Sequence, residues 1–257
     1  MSRGVAITRE VSPAFEACEL THLARVPIDV ALARAQHAAY EHALADAGYV
    51  VEHLDADTAM PDSVFVEDMA VVFDELAIIT RPGAESRRIE TPLVAAALAQ
   101  YRPLHAIAAP GIVDGGDVLV AGHQVFVGRS TRTNASAIDQ MRRLLAPFGY
   151  TVCEVCVTGC LHLKSAVTVI DDGVLLVNPE WMDTRAFGGF EFVDVDPGEP
   201  TAANALRLAD RLIASSSFPR TAERLVRRGL RLQLVDAGEV AKAEGAVTCC
   251  SLIVVSR

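Results

Sequence analysis

The strongest constraint on this chain is a recurrence of hairpins. Four pairs of short apolar runs step along the sequence, each pair broken at a turn: Met69 to Thr80 at Asp74-Glu75, Val118 to Val127 at Gly122-His123, Ala166 to Val177 at Asp172-Gly173 and, less sharply, Ala205 to Ala214 at Ala209-Asp210. Apolar runs flanking such dipeptides read as β-hairpins, and Asp-Gly is a strong turn signal. Helical stretches follow or intervene. Asn134 to Ala146 carries Ile138, Met141, Leu144 and Leu145 at helical spacing behind a capping Asn; Glu90 to Gln100, Thr221 to Arg228 and Val30 to Ala47, which stops at Gly48, have the same character. Each leads into a further strand, at Tyr49-Val50-Val51, Leu104 to Ala108, Tyr150 to Val157 and Leu230 to Val235. The unit is hairpin, helix, strand, repeating about every 50 residues, which argues for a propeller or array over one open sheet. A fifth hairpin is missing unless the strand Cys249 to Val255 pairs with Gly4 to Arg9 and closes a ring. The expectation is an α/β fold, a five-bladed α/β propeller of pseudo-fivefold ββαβ-type repeats, closed by its terminal strands and forming a single domain over residues 1–257. A doubly wound α/β sheet is the alternative, and it gives the short hairpins no particular use.

Composition narrows the function. Aromatic residues make up 5% of the chain and hydrophobic residues 51%, so the core must rest on Val, Leu, Ile and Ala. The net charge of −10, without any basic run, points away from nucleic acid. No apolar stretch approaches the ~20 residues a membrane span needs, and the N-terminus runs straight into an apparent strand without a signal peptide. A cytoplasmic protein is expected, with Cys18, Cys153, Cys156, Cys160, Cys249 and Cys250 as free thiols.

Polar residues collect just ahead of each hairpin: Glu67-Asp68, then Asp114 and Asp117, then His162 and Lys164, then Asn204, then Thr248-Cys249. If the units are related by rotation, these positions face one axis, and a cysteine, a histidine and several carboxylates meet there. A cysteine attacks an electrophilic carbon and a histidine moves protons to the leaving group or from water. Carboxylates suit a guanidinium, which is planar, cationic and able to make paired hydrogen bonds. Such a cation beside the thiol would lower its pKa from about 8.5, so the substrate would help make its own nucleophile.

Other readings compete. Free cysteine is more often a small buried hydrophobe than a nucleophile. Adjacent Cys249 and Cys250 would point to opposite faces of a strand, one into the pocket and one behind it. Cys153, Cys156, Cys160 and His162 have the look of a zinc cluster, but the first two fall on opposite faces of an apparent strand. Cys18, the Arg81 to Arg88 loop and His37, His42, His53, His105 and His123 read as ordinary surface or satisfied residues.

Several stretches carry a resemblance. Pro61 to Asp68 (PDSVFVED), Thr80 to Arg88 (TRPGAESRR), Gly128-Arg129 through Arg132-Thr133-Asn134-Ala135, Leu161-His162-Leu163-Lys164 and Val247-Thr248-Cys249 resemble the dimethylarginine dimethylaminohydrolase family, in order and over nearly the whole chain. The resemblance implies the five-unit pentein fold of the guanidine-modifying superfamily. It also implies Cys249 as nucleophile and His162 as general acid and base, with Asp114 orienting His162 or holding a guanidine nitrogen. Asp62, Glu67 and Asp68 would lie on the substrate-binding loop, the latter two nearest the guanidinium end or orienting its neighbours. Arg87 and Arg132 would hold an α-carboxylate, Leu20 would sit on an N-terminal lid, and the Ala243 carbonyl would contact ligand.

Two positions depart from the pattern. Asp114 replaces a Glu that many members carry, and the shorter arm leaves room for a lengthened or water-bridged bond to His162 or to the guanidine. Cys250 replaces a larger apolar residue. The expected partner is a small molecule, methylated arginine, and the expected product is citrulline; no metal or organic cofactor and no membrane are called for, and a homodimer is left open. Arginine deiminase chemistry, a non-catalytic binder of cationic amino acids and a zinc module are the alternatives.

Overall fold

The structure is a computed structural model that describes residues 3–256. Its strands form five separate three-stranded sheets. The terminal sheet contains β1 (Gly4–Arg9) at its centre, β2 (Tyr49–Leu54) on one side and the last strand, β15 (Leu252–Val255), on the other. β15 pairs antiparallel with β1, Gly4 opposite Val255, so the expected pairing of the chain ends is present. β2 pairs parallel with β1, reached through helix α1 (Val30–Asp46). That helix begins where the Asp29 side chain accepts the Leu32 amide and ends before Gly48, whose φ of 92° only glycine takes without strain.

The other four sheets repeat this plan of an antiparallel hairpin whose second strand pairs parallel with a third. They are β3 (Ala70–Val72), β4 (Ala77–Ile79) and β5 (Leu104–Ala106); β6 (Val118–Ala121), β7 (Gln124–Arg129) and β8 (Thr151–Cys156); β9 (Val167–Asp171), β10 (Val174–Val177) and β11 (Glu191–Asp194); and β12 (Ala205–Leu208), β13 (Arg211–Ser215) and β14 (Leu232–Val235). Antiparallel neighbours need only a tight turn, whereas a parallel neighbour needs a crossover, which is why the longer helices fall between the second and third strands. Helix α2 (Thr91–Leu98), α3 (Ala135–Leu145) and α5 (Pro219–Arg227) make three of these crossovers. Asn134 caps α3 by accepting the Ala137 amide, and Ile138, Met141 and Leu145 are fully buried against a cluster that includes Val125, Val127 and Ile78.

Three differences from the sequence reading have local causes. The β9–β10 unit has no α-helical crossover: a short 3-10 turn, Thr184–Ala186, leads to β11, whose mostly exposed Glu191–Asp194 gave no apolar pattern to read. The helix expected over Glu90 to Gln100 is α2, starting at Thr91-Pro92 where proline suits the first turn, but a 3-10 segment, Glu85–Glu90, runs into it where a charged loop was read. Cys249 and Cys250 do not open the last strand. They sit on a 3-10 turn, Thr248–Cys250, ahead of it.

The innermost strands β3, β6, β9, β12 and β15, one from each sheet, line a single cavity of about 670 Å³. At its base lie Glu67, Lys164 and Thr248, and the residues just before these strands bound a second, smaller pocket.

Candidate active site

The smaller pocket is built from chain segments far apart in sequence, each held by its own local logic. The first is the loop from Asp62 into the 3-10 turn Val66–Met69, pinned by the buried side chains of Val64, Val66 and Met69. Asp68 on this turn accepts the Gly116 amide at 3.0 Å through Oδ1 and Arg87 Nη1 at 2.5 Å through Oδ2. Arg87 is buried and heavily committed: it donates also to both oxygens of Glu90 and to the carbonyls of Asp62 and Phe65. It therefore braces the loop that carries Asp62 and Asp68 while one face of it lines the pocket.

The second segment is Asp114 with the 3-10 turn Gly115–Asp117. Asp114 Oδ1 accepts the Gly83 amide at 2.9 Å, and Oδ2 meets His162 Nε2 at 3.1 Å. The bond to His162 is direct, so of the two contacts the shorter side chain was expected to lengthen or bridge, this one is made without lengthening: the loop itself comes close enough. Arg132 Nη1 stands 4.0 Å from the same Oδ2. Two glycines make this approach possible. A Cβ at Gly115 would fall 2.0 Å from the Glu67 carbonyl oxygen, and one at Gly116 would fall 2.5 Å from His162 Nδ1.

His162 precedes the short helix α4 (Leu163–Ala166) and is buried. Its Nδ1 lies 3.9 Å from Asp68 Oδ1, so two carboxylates bracket the ring. Cys249 reaches the same pocket from the 3-10 turn, which is fixed at Thr248: Asn204 Oδ1 accepts the Thr248 amide at 3.0 Å, and the Thr248 hydroxyl donates to Glu67 at 3.0 Å. Cys250 turns the other way, into the core beside Tyr40 and Val235. The expected division of the two thiols thus holds, through a 3-10 turn in place of strand alternation.

Of the ten residues singled out from sequence, Asp62, Asp68, Arg87, Asp114, Arg132, His162, Ala243 and Cys249 line this pocket. Leu20 does not; it packs against the core cluster containing Phe15 and Phe65. Glu67 faces the larger cavity, where it takes Lys164 and Thr248. Of the two expectations for Glu67, orienting its neighbours is the one its contacts fit. Sequence reasoning passed over Glu19, Phe65, Leu161, Glu244 and Gly245, which also line the pocket. Phe65 stood inside a quoted motif, and Glu244 and Gly245 follow Ala243 directly. Glu244 had no signal of its own, because its partners lie more than 200 positions away: it accepts the backbone amides of Thr21, His22 and Leu23. With Asp62 accepting the Glu19 amide and Arg132 donating to the Thr21 hydroxyl, these bonds hold the strap 19–23 against the rest of the site. The remaining free volume is about 20 Å³, room for about one water.

The charge balance of the site follows from burial and carboxylates. Burial pushes the Cys249 thiol up, and Glu67 and Asp68 push it further, to about 12. Burial pulls His162 down, but Asp68, the bond to Asp114 and Asp117 more than reverse this, giving about 9. At neutral pH the pocket therefore carries a neutral thiol beside an imidazolium. Burial raises Asp62 to about 6 against the pull of Arg87. Asp68, Asp114 and His162 have donor atoms within 4.8 Å of one another, the one group among the described residues spaced for a metal ion. It contains no cysteine. Cys153 packs inside while Cys156 is exposed, so the four-residue zinc grouping does not assemble.

Comparison with known proteins agrees with this geometry. The family model described as N,N dimethylarginine dimethylhydrolase, eukaryotic, matches residues 24–186. An N(G),N(G)-dimethylarginine dimethylaminohydrolase from Streptomyces coelicolor is 42% identical over 248 residues, covering 96% of this chain and 95% of its own. One from Pseudomonas aeruginosa is 37% identical, covering 87% of this chain and 89% of its own. A solved C249S mutant of the Pseudomonas aeruginosa enzyme, complexed with citrulline, superposes with a TM-score of 0.91 at 34% identity, over 98% of this chain and 100% of that one. A solved dimethylarginine dimethylaminohydrolase H162G adduct with S-methyl-L-thiocitrulline superposes with a TM-score of 0.92 at 34% identity, over 97% of this chain and 99% of that one. The N-terminal domain of the arginine dihydrolase ArgZ, at 17% identity and a TM-score of 0.89, shares the fold. On sequence, fold and coverage together, the chain belongs to the dimethylarginine dimethylaminohydrolase family.

Proposed function

We propose that this chain hydrolyses Nω-methylated L-arginine to L-citrulline and methylamine or dimethylamine, through a covalent intermediate on Cys249. The observation that carries the reading is the meeting of Cys249, His162, Asp68 and Asp114 in one buried pocket. With the strap 19–23 drawn back to make room, the substrate guanidinium lies between the thiol and the two carboxylates, and Arg132 and Arg87 take the α-carboxylate. The substrate brings the cation that the pocket lacks at its centre. It stabilises the Cys249 thiolate, whose proton leaves to water because His162 already holds its own. The thiolate adds to the guanidinium carbon, His162 protonates the departing amine, and the C–N bond breaks to leave an S-alkylthiouronium. His162, now neutral, takes a proton from water as the hydroxide adds to that carbon. The C–S bond breaks as the added hydroxyl gives its proton to the departing sulfur, releasing citrulline and restoring the Cys249 thiol. The solved relatives, a C249S mutant with citrulline and an H162G adduct with S-methyl-L-thiocitrulline, support a cysteine and a histidine in these roles.

The five sheets close as a five-bladed propeller in one catalytic domain spanning residues 1–257, on the support of the β1–β15 pairing and the shared central cavity. Six free thiols fit a reducing cytoplasm, and no helix among the described residues is long and apolar enough to cross a membrane. A homodimer belongs to the same reading, and light scattering tests it. Mass spectrometry of acid-quenched enzyme with dimethylarginine tests the chemistry. A mass gain on the Cys249 peptide, absent in Cys249→Ser along with citrulline release, is the expected result. An unmodified peptide at every time point with full activity in Cys249→Ser would overturn it. Dimethylamine and not ammonia is the expected co-product, which separates this activity from arginine deiminase.

A further inference from the structure

Asp117 is a fully buried carboxylate beside the pocket to which the reaction above gives no role. Its Oδ2 accepts the Ser130 hydroxyl at 2.6 Å and the Thr133 hydroxyl at 2.7 Å, and its Oδ1 accepts the Leu163 amide at 2.9 Å. Each of those donors is one step from a residue of the pocket. Ser130 Oγ accepts the Arg132 amide at 3.0 Å, and Thr133 Oγ1 accepts the Asp114 amide at 3.4 Å. Leu163 is bonded directly to His162. Gly128 leaves room for this arrangement, since a Cβ there would lie 2.7 Å from Asp117 Oδ1.

We propose that Asp117 is the positioning residue of the site, one carboxylate that sets the backbone under Arg132, Asp114 and His162 together and so fixes the distance between the α-carboxylate clamp and the acid–base.

The chemistry favours a carboxylate specifically. It only accepts, so it commits both hydroxyl protons to itself and leaves the hydroxyl lone pairs to the Arg132 and Asp114 amides. An asparagine in the same space would turn donors toward one side and scramble that order with almost no change of shape. Asp117 also acts on His162 as a charge. The groups facing His162 are Asp68 and Asp114, with Arg87 and Arg132 behind them, the thiols of Cys160 and Cys249, and Asp117 itself. Asp117 is the one carboxylate among the three with no arginine against it in the described contacts.

The inference rests on the roles given above to His162 and Arg132. The test is Asp117→Asn in the full chain, read by kcat and KM for citrulline release across pH. A second readout is the rate at which iodoacetamide alkylates Cys249 in the free enzyme across pH. The expected result is a fall in kcat of about 10²-fold, the scale of an ångström-level misplacement, with a raised KM. Both pH profiles should move to lower pH, because a negative charge near the imidazole is gone and the neutral ring, which can take the thiol proton, then appears at lower pH. Ser130→Ala cuts one arm only, and should raise KM with a smaller loss of kcat than Asp117→Asn. Folded Asp117→Asn with unmoved pH profiles overturns the proposal, whatever its rate, since a packing role alone would not shift them. If Asp117→Asn fails to fold, Ser130→Ala and Thr133→Val carry the test, and unchanged KM and kcat in both overturn it. If the wild-type chain releases no citrulline from any methylarginine, the functional reading fails, while the alkylation profile still decides the Asp117 link.

Discussion

Gly116 gives the sharpest test of the pocket's geometry. A methyl group there would sit 2.5 Å from His162 Nδ1, 2.8 Å from His162 Cγ and 2.9 Å from Asp68 Oδ1. Ordinary contact begins near 3.4 Å, so Gly116→Ala must open the gap to the imidazole by about 0.9 Å, the difference between 3.4 and 2.5 Å. The backbone at Gly116 is not in the left-handed region, so alanine meets no torsional penalty and its whole effect passes through that contact. The ring cannot swing aside freely, because Asp114 holds Nε2 at 3.1 Å, and Asp68 cannot retreat, because Arg87 and the Gly116 amide hold both its oxygens. Displacing a reacting group by about an ångström costs on the order of 10²-fold in rate. Overpacking of this kind costs about 1–3 kcal/mol of stability. Gly116→Ala is therefore expected to fold, to melt several degrees lower and to lose about 10²-fold in kcat/KM for dimethylarginine, measured by citrulline release. A folded variant within about threefold of wild type would refute the argument that His162 is held by close packing against this turn.

Three further outcomes are expected. Glu67→Gln leaves Lys164 without its charge partner at a nearly buried site and should cost about 3 kcal/mol in urea unfolding, whereas replacing both residues with apolar ones of similar size should recover most of the loss. Glu244→Gln should weaken the hold on three strap amides, raising KM more than it lowers kcat and speeding hydrogen exchange at Thr21, His22 and Leu23. His162, held near 9 against an ordinary 6.5, contributes stability that is fully present below about 6.5 and lost as pH rises through about 9. Urea midpoints should fall across that window and flatten there in His162→Asn.

How far the sequence could be read depended on the range of the interactions involved. The hairpins were legible because their turns are local chemistry: Gly122 and Gly173 take positive φ where the sequence placed the bends. The pairing of chain ends was legible only because the repeat lacked one hairpin. β11 was not legible, since an edge strand with Glu191, Phe192 and Asp194 exposed has no alternation to detect. The 3-10 turn at Cys249 was hidden for another reason. Thr248 is held by Asn204 and Glu67, 44 and 181 positions away, and no local propensity reports such bonds. The direct bond from Asp114 to His162 was hidden in the same way: the length of a side chain is local information, but the placement of its loop by Gly83, Gly115 and Gly116 is not.

The same distinction explains why the proposed catalytic group was easier to find than its control. Cysteine, histidine and carboxylates announce themselves as residue types, and their phase along the repeat brought them together on paper. Their ionisation does not follow from type. A cysteine beside a histidine invites the reading of a ready thiolate paired with an imidazolium, yet Cys249 is half-buried with Glu67 and Asp68 near it, and loss of solvent and those carboxylates hold its proton on up to about 12. Asp68, one of the carboxylates that keep His162 charged, is thus also one that keeps Cys249 quiet. Arg87 does not relieve this, because its charge is divided between Asp68 and Glu90. Only a cation placed between the sulfur and the carboxylates satisfies both, and a guanidinium has the planarity and the donors to do so. In the proposed reaction the pocket's selectivity and its nucleophile therefore have one origin: a neutral ligand of the same shape would fill the site without switching on the thiol.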